Sequence, residues 1–385
     1  MVGEAPEVRN YFVAAGLNSV GIITGGGLGR LLAHWIVEGR PDADVTGINI
    51  DRFHPYQCNP EYRRRRAYES LGQVYQCHYP DKPWETARGA KRSPFHDRLA
   101  ARGAYFRDVS GWESPAWYAP PGEEPKIERL TWGRQNWFPW WAAEHAACRE
   151  GVILMDMSFM GKFLVQGRDA GEYLDYLSAN AVNEAPGRIT YTQWLNEGGT
   201  LEADLTVIKF EDERFMVVTS DTAHRHTESW LKRHIGDERH VFVTDVTSAY
   251  GQLNVQGPRS RELLQSLTSV DLSNEAFPFR AVSEVDIGLQ FAGWTTEAMI
   301  MGLIAEHVEP NILMEMTGEQ LPSQEELAAQ YAQMAEQAMM RFGEQRHVQG
   351  AFTVLGAAIA ELIGEDRLAL APQPVKELED RTRGL

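Results

Sequence analysis

Gly187-Arg-Ile-Thr-Tyr-Thr-Gln-Trp-Leu-Asn-Glu-Gly-Gly-Thr-Leu-Glu-Ala-Asp-Leu-Thr-Val207 is the stretch that decides how the middle of this chain folds. Two β-rich runs, Ile189 to Leu195 and Leu205 to Phe210, flank Asn196, Glu197, Gly198 and Gly199, the signal of a hairpin with a loop of a few residues. The hairpin is expected to deliver one acidic side chain, Asp204, to the end of a strand. An acid so placed is a candidate catalytic group. The competing reading is a strand-end carboxylate that caps its own hairpin.

Outward from the hairpin, helix and strand signals are mixed along the chain, so the fold class is α+β. Upstream, a helix carrying Glu144, His145 and Arg149 runs into an apolar strand, then a strand over Lys162 to Gln166, a helix over Asp169 to Leu177 and a loop up to Gly187. Downstream come a strand over Glu213 to Thr219 and a helix over Ala223 to Ile235 with Asp221 or Thr222 as its N-cap. Strands over Val241 to Val246 and Gly251 to Gln256 follow, the second stopped by Gly257-Pro258, and then a helix over Ser260 to Ser266. His145 and Cys148, three apart on a helix, read as packing and not as a metal or nucleophile pair.

Near the start, Ser19-Val-Gly-Ile-Ile-Thr-Gly-Gly-Gly-Leu-Gly-Arg30 reads as a short strand and a glycine turn ahead of a helix over Leu31 to Glu38, ended by Gly39 and Pro41. Such a turn can aim free backbone N–H groups at an anion or a polar ligand edge. It is no dinucleotide fingerprint, because Arg30 stands where GxGxxG needs Gly or Ala. The plain alternative is a tight turn with close helix packing. From Asp51 to Glu124 the chain is aromatic, basic and irregular. Arg63 to Arg66, beside Glu61 and Glu69, predict a solvated helix face. His54, Cys58, Cys77, His78 and His96 show no zinc-ligand spacing, so no metal is expected. Pro120-Pro-Gly-Glu-Glu-Pro125 is the clearest linker.

The formal charge of −17 over 385 residues repels nucleic acid and anionic membrane surfaces, so neither is expected as a partner. Three cysteines without a pairing pattern predict a reducing compartment, the cytoplasm or a mitochondrial matrix. No apolar run approaches the ~18 residues needed to span a bilayer, and the opening Met-Val-Gly-Glu-Ala-Pro-Glu is acidic where a signal peptide would be basic. A soluble protein is expected.

Several of these segments carry a family likeness. The GG…DLTV hairpin resembles the folate-binding domain of the glycine-cleavage T-protein, and more closely the copy fused to dimethylglycine and sarcosine dehydrogenases. EHxAxRExVxLxDxSxxGKFxVxG resembles the opening segment of that domain, and DVTSAYGQLNVQGPRSRELLQ…DLSNEAFPF…EVDIG extends the likeness in order over about 150 residues. RF…YxxxRxxE…YP…RSPFHDRL…GWExPxWY is similar to the domain that joins the flavin and folate halves, and AGLNSVGIITGGGLGRLLAHWIVEG to the last strand and helix of the flavin domain. The resemblance implies a flavin-domain remnant over residues 1–48, a connector over 49–125, a T-protein-like folate-binding domain over 126–290 and a helical acidic tail unlike the family over 291–385. After Gln290 the family's GELGWEL-type motif, whose Glu contributes to folate binding, is absent. In the tail, Ser323-Gln-Glu-Glu326 is a capping box followed by helical periodicity through Phe342.

In that family the flavin domain oxidises an N-methyl amine, and the folate domain traps the one-carbon unit on tetrahydrofolate. The resemblance therefore implies tetrahydrofolate and FAD as cofactors and Asp204 as the folate-activating acid, with Tyr191, Val218 and Ser220 as pocket wall. It also implies that Asn18, Gly25, Gly26 and Gly27 face the flavin. The partners implied are an amine-derived one-carbon unit, folate and a separate flavin-binding chain. A chain holding so little of the flavin fold is not expected to dehydrogenate alone. The other class of function is a non-catalytic relative, similar to the regulatory subunit of pyruvate dehydrogenase phosphatase or a fragment.

Overall fold

The computed structural model describes residues 1–17 and 20–287, with a further strand over residues 297–301. Asn18, the Ser323 capping box and the helical tail expected from the sequence lie outside the described residues. In chain order, the antiparallel pair β1 (Val2–Glu4) and β2 (Phe12–Ala14) precedes α1 (Gly21–Glu38) and α2 (Pro60–Gln73). Next, α3 (His96–Ala101) leads into a second antiparallel pair, β3 (Ala104–Val109) and β4 (Trp112–Tyr118). After α4 (Phe138–Glu150) come β5 (Ile153–Asp156), β6 (Gly161–Gln166), α5 (Ala170–Leu177), β7 (Arg188–Leu195), β8 (Leu201–Glu211) and β9 (Arg214–Thr219). The chain continues through α6 (His224–His234), β10 (Phe242–Asp245), β11 (Leu253–Gln256), α7 (Ser260–Gln265), β12 (Val282–Asp286) and β13 (Glu297–Met301).

Two compact units result, one of Met1–Trp140 with Asp156–Leu253, the other of Trp141–Met155 with the described residues from Asn254 on. In the first, an antiparallel sheet in the order β10-β6-β9-β8-β7 carries the main core. Successive side chains of a strand face opposite sides. Phe163, Val165, Trp194, Ala203, Leu205, Val207, Phe215 and Val217 therefore share one face, where Tyr173 and Leu174 of α5 and Leu231 of α6 cover them. Burial of each large side chain stabilises by about 1.5–3 kcal/mol. In the second unit, β5 pairs with β11 and β12 with β13. Arg261 there donates to the carbonyls of Ser273 (3.3 Å) and Phe277 (3.0 Å) beside a small core of Leu272, Phe277 and Val285.

The sequence repeats itself across this fold. Val152-Ile-Leu-Met-Asp-Met-Ser158 through Gly161-Lys-Phe-Leu-Val-Gln-Gly167 has its counterpart in Val241-Phe-Val-Thr-Asp-Val-Thr247 through Gly251-Gln-Leu-Asn-Val-Gln-Gly257. Each copy is strand, Asp turn, strand, glycine, helix, and the copies exchange strands: β6 pairs with β10, and β11 with β5. The turns are built alike. Asp156 Oδ1 accepts from Ser158 N (3.0 Å) and Asp245 Oδ1 from Thr247 N (2.9 Å). Thr247 Oγ1 accepts from Lys162 N and Ser158 Oγ from Gln252 N, both at 3.0 Å. Gly167 (φ +127°) is required, since a Cβ would lie 2.1 Å from the His240 carbonyl oxygen.

Four local expectations need correction. The glycine-rich segment is no strand and turn: α1 is continuous from Gly21 through Gly25, Gly26 and Gly27, and Gly39 (φ 75°) caps its end. Leu31 and Trp35, packed with Val2 and Val45, anchor the later half. The glycines lie in the half ahead of that anchor, each costing about 1 kcal/mol against Ala. Second, β8 begins at Leu201, so Asp204 is the fourth of its residues and not a strand end. Third, the N-cap of α6 is Ala223, where Ser220 Oγ accepts from the Ala223 amide (3.3 Å). Fourth, Arg64 and Arg65 pair with Glu61 in solvent, but Arg66 turns inward onto Asp108 (2.8 Å) and the Trp84 ring.

Candidate functional site

The β7–β8 hairpin forms where the sequence places it. Asn196 sets its tip, its Oδ1 accepting from the amides of Gly198 (3.0 Å) and Thr200 (3.2 Å). Asp204 pairs in register with Gln193, and Tyr191 with Thr206. On the face opposite the core, the Tyr191 hydroxyl donates to Asp204 Oδ2 at 2.9 Å. This bond holds the phenol above its ordinary pKa. Both side chains are exposed, so the pair presents a carboxylate to solvent with one oxygen fixed by a phenol and the other open to accept.

The neighbouring strands continue that face. Thr206 pairs with Val218, and Val218 with Lys162, giving a row Lys162, Val218, Thr206, Tyr191 across four strands. Val218 is buried. Ser220 lies just beyond β9, and extending the Leu205–Thr219 pairing by one residue sets it level with Asp204. Its hydroxyl is engaged with Thr222 (3.1 Å) and the Ala223 amide. Tyr191, Asp204, Val218 and Ser220 thus belong to one sheet face and its rim.

Gly25, Gly26 and Gly27 offer no comparable cradle. In a helix starting at Gly21 their amides are committed to carbonyls four residues back, and a Cβ at any of the three would meet nothing within 4 Å. All three glycines therefore lie in open helix with their amides spent inside it.

Sequence reasoning missed three groups. Lys162 is buried, donating through Nζ to the carbonyls of Met160 (2.7 Å) and Ser158 (3.1 Å). Burial pulls its amine down to about 8 against the raising influence of Asp245 and Asp156. The signal was available: a lysine amid an apolar strand, where the repeat has Gln252. The second group gathers His224, Asp245 and His54. Asp245 accepts from His224 (2.8 Å) and from Thr247, and these bonds overcome burial to hold its carboxyl well below the usual range. His54 meets the His224 ring edge-on at 5.2 Å, and burial, aided by Lys91, pulls its imidazole down to about 3.

The third is His226. Its ring nitrogens contact Asp51 (2.6 Å) and Glu202 (2.8 Å). Burial lowers its pKa, but the two carboxylates win and raise it to about 9. The imidazole is therefore a cation donating from both nitrogens. No group of three or more His, Cys, Asp or Glu side chains that could hold a metal ion occurs among the described residues, where all three cysteines are free.

Comparison with known proteins agrees with this architecture. Residues 95–295, which include the whole five-stranded sheet, match the family described as GCVT N-terminal domain. The chain belongs to the GCVT N-terminal domain family. Ahead of this GCVT region, residues 38–93 match the family described as FAD dependent oxidoreductase central domain. Relatives include 4-methylaminobutanoate oxidase (formaldehyde-forming) of Paenarthrobacter nicotinovorans, 40% identical over 71% of this chain and 33% of that protein. Human mitochondrial sarcosine dehydrogenase is 33% identical over 80% of this chain and 37% of its own length. The mouse mitochondrial pyruvate dehydrogenase phosphatase regulatory subunit is 32% identical over 75% and 33%. The GCVT chain thus spans about a third of the length of these curated relatives. Among the described residues no helix is long and apolar enough to cross a membrane.

Proposed function

We propose that this chain carries the folate-binding, one-carbon-accepting part of an N-methyl amine dehydrogenase, with Asp204 as the acid that faces the folate. The observation that carries the reading is the Tyr191–Asp204 pair, exposed on the open face of a sheet in a chain of the GCVT family. Two relatives bear names of enzymes acting on N-methyl amines, and one of them is called formaldehyde-forming, a carbon at the oxidation level that a folate amine captures. Bound tetrahydrofolate would supply a nucleophilic ring nitrogen. Asp204 would accept a hydrogen bond or proton from that amine and stabilise positive charge developing beside it, while Tyr191 fixes the carboxylate's orientation. Val218 would floor the pocket, and Ser220 would stand at its rim.

The flavin half of the reaction belongs to a partner in this reading. Exposed Ile22, Ile23, Ile36 and Val37 lie along one side of α1 at helical spacing, an apolar face suited to a covering flavin-binding segment. A reducing compartment, cytoplasm or mitochondrial matrix, fits the free cysteines.

Calorimetric titration of the full chain with tetrahydrofolate tests the reading, which predicts saturable binding. Absence of saturable binding would leave the second reading, a non-catalytic relative, which the likeness to the phosphatase regulatory subunit favours.

A further inference from the structure

Glu202 stands where β8 is irregular. Trp194 pairs with Ala203 and Leu195 with Leu201, so Glu202 is the extra residue of a β-bulge. A bulge re-aims a side chain. Strict alternation would place Glu202 beside Asp204 on the open face; instead its Oε2 meets Nε2 of His226 on α6 and its Oε1 accepts from Asn196 (2.7 Å) at the hairpin tip. The other nitrogen of His226 meets Asp51, in the tight turn Ile50–Arg52. Asp51 is itself buried, and its amide faces the Asn49 side chain. A single imidazolium thus links the segment that matches the flavin-oxidoreductase central domain to the hairpin that holds Asp204.

Other basic side chains of α6 do a simpler task. Arg233 pairs with Glu4 and Arg225 with Glu7, fastening the N-terminal strand to the helix without reaching β8. His226 is different in touching both sides, and its second partner lies two residues from Asp204. Bulge, imidazolium and turn form a contiguous chain of short, charge-assisted bonds, the stiffest sort of polar contact.

We propose that His226 is a positioning residue which transmits the placement of the Asp51 turn to the Asp204–Tyr191 hairpin, so that the central-domain segment sets the geometry of the one-carbon site. The functional half of this statement rests on the folate reading above; the mechanical half does not. His226 is faced by Asp51 from the Ile50–Arg52 turn and by Glu202 from β8, with the Trp230 ring tilted against it 6.0 Å away on its own helix and His234 acting on Glu202.

Amide hydrogen exchange of the full chain reads the mechanical half directly. Asp51→Asn keeps the shape of the turn but removes its charge, and Glu202→Gln does the same at the hairpin. Asp51→Asn is expected to speed exchange of hairpin amides over residues 188–205 by about tenfold, equal to about 1.4 kcal/mol of opening free energy. Amides of α5, which touch neither partner, should be unaffected. In the wild type, the same hairpin amides should lose protection between pH 7 and 9.5 after correction for intrinsic rates. That loss should be absent from His226→Gln. Hairpin exchange unchanged in Asp51→Asn, together with a wild-type hairpin insensitive to pH, would overturn the proposal. Tetrahydrofolate titrated into the same proteins adds the functional arm: affinity should fall about tenfold in Asp51→Asn, a residue remote from the ligand face. A wild type that binds no folate would defeat the one-carbon reading while the exchange data still judge the coupling.

Discussion

Two cations, the buried Lys162 and the partly buried His226, titrate in opposite senses, and their opposition gives a sharp prediction for stability against pH. His226 is raised from 6.5 to about 9. Its stabilisation is fully present below the unfolded pKa and is lost as pH rises through the folded one. At ~1.4 kcal/mol per tenfold change in proton affinity, that contribution amounts to roughly 3 kcal/mol. Lys162 is lowered from 10.5 to about 8. The fold therefore bears a cost of roughly 3 kcal/mol while this amine is charged, and regains stability as pH climbs from about 8 towards 10.5. Between pH 6 and 9 the imidazole removes roughly 3 kcal/mol, and the amine returns roughly 1. These two groups should make the wild type lose roughly 1–2 kcal/mol over that interval. Lys162→Met should lose roughly 3, and His226→Gln should instead gain roughly 1. Urea unfolding of the three proteins at pH 6 and 9 and constant ionic strength, followed by tryptophan fluorescence, measures this, since other titrating groups are common to all. Parallel profiles for wild type and both variants would mean that neither group titrates in this way.

Other expectations follow from particular contacts. His54, held near 3 by burial, contributes stability that is present above pH 6.5 and lost as pH falls towards 3. His54→Asn should flatten the acid limb of stability by several kcal/mol, read by urea midpoints at pH 7 and 4.5. Gly167→Ala would drive a methyl into the His240 carbonyl at a left-handed φ and should cost more than about 2 kcal/mol in the same assay, whereas Gly25→Ala, in open helix, should stabilise by up to about 1 kcal/mol. Tyr191→Phe, at an exposed site, should leave the unfolding midpoint in place while weakening tetrahydrofolate binding.

The hairpin is legible in the sequence because Asn196 to Gly199 interrupt two alternating runs, and both the turn chemistry and the period point the same way. What escapes local reading is the bulge. A period-2 argument places Glu202 beside Asp204, and only the pull of His226, 24 residues on, turns it round. His226 itself shows no local signal, since its other partner lies 175 residues away. The glycine triplet misleads for the opposite reason: weak local propensity is overridden by Leu31 and Trp35 packing against Val2, a contact that no window of the sequence contains. The duplicated strand–turn–strand is readable by eye once residues 152–167 are set under 241–257, although one extra residue before Gly251 breaks the spacing. That alignment would have exposed Lys162 as the position where one copy carries a charge and the other an amide.

The proposed role of Asp204 is to hold a folate amine through its carboxylate. Calorimetric titration of tetrahydrofolate into wild type and Asp204→Ala, with urea midpoints measured alongside, reads that contact. Wild-type binding is expected to be saturable and to weaken roughly ten- to hundredfold in the variant through loss of a charge-assisted hydrogen bond, with unchanged midpoints. Equal affinities in the two proteins, or no binding by the wild type, would contradict it.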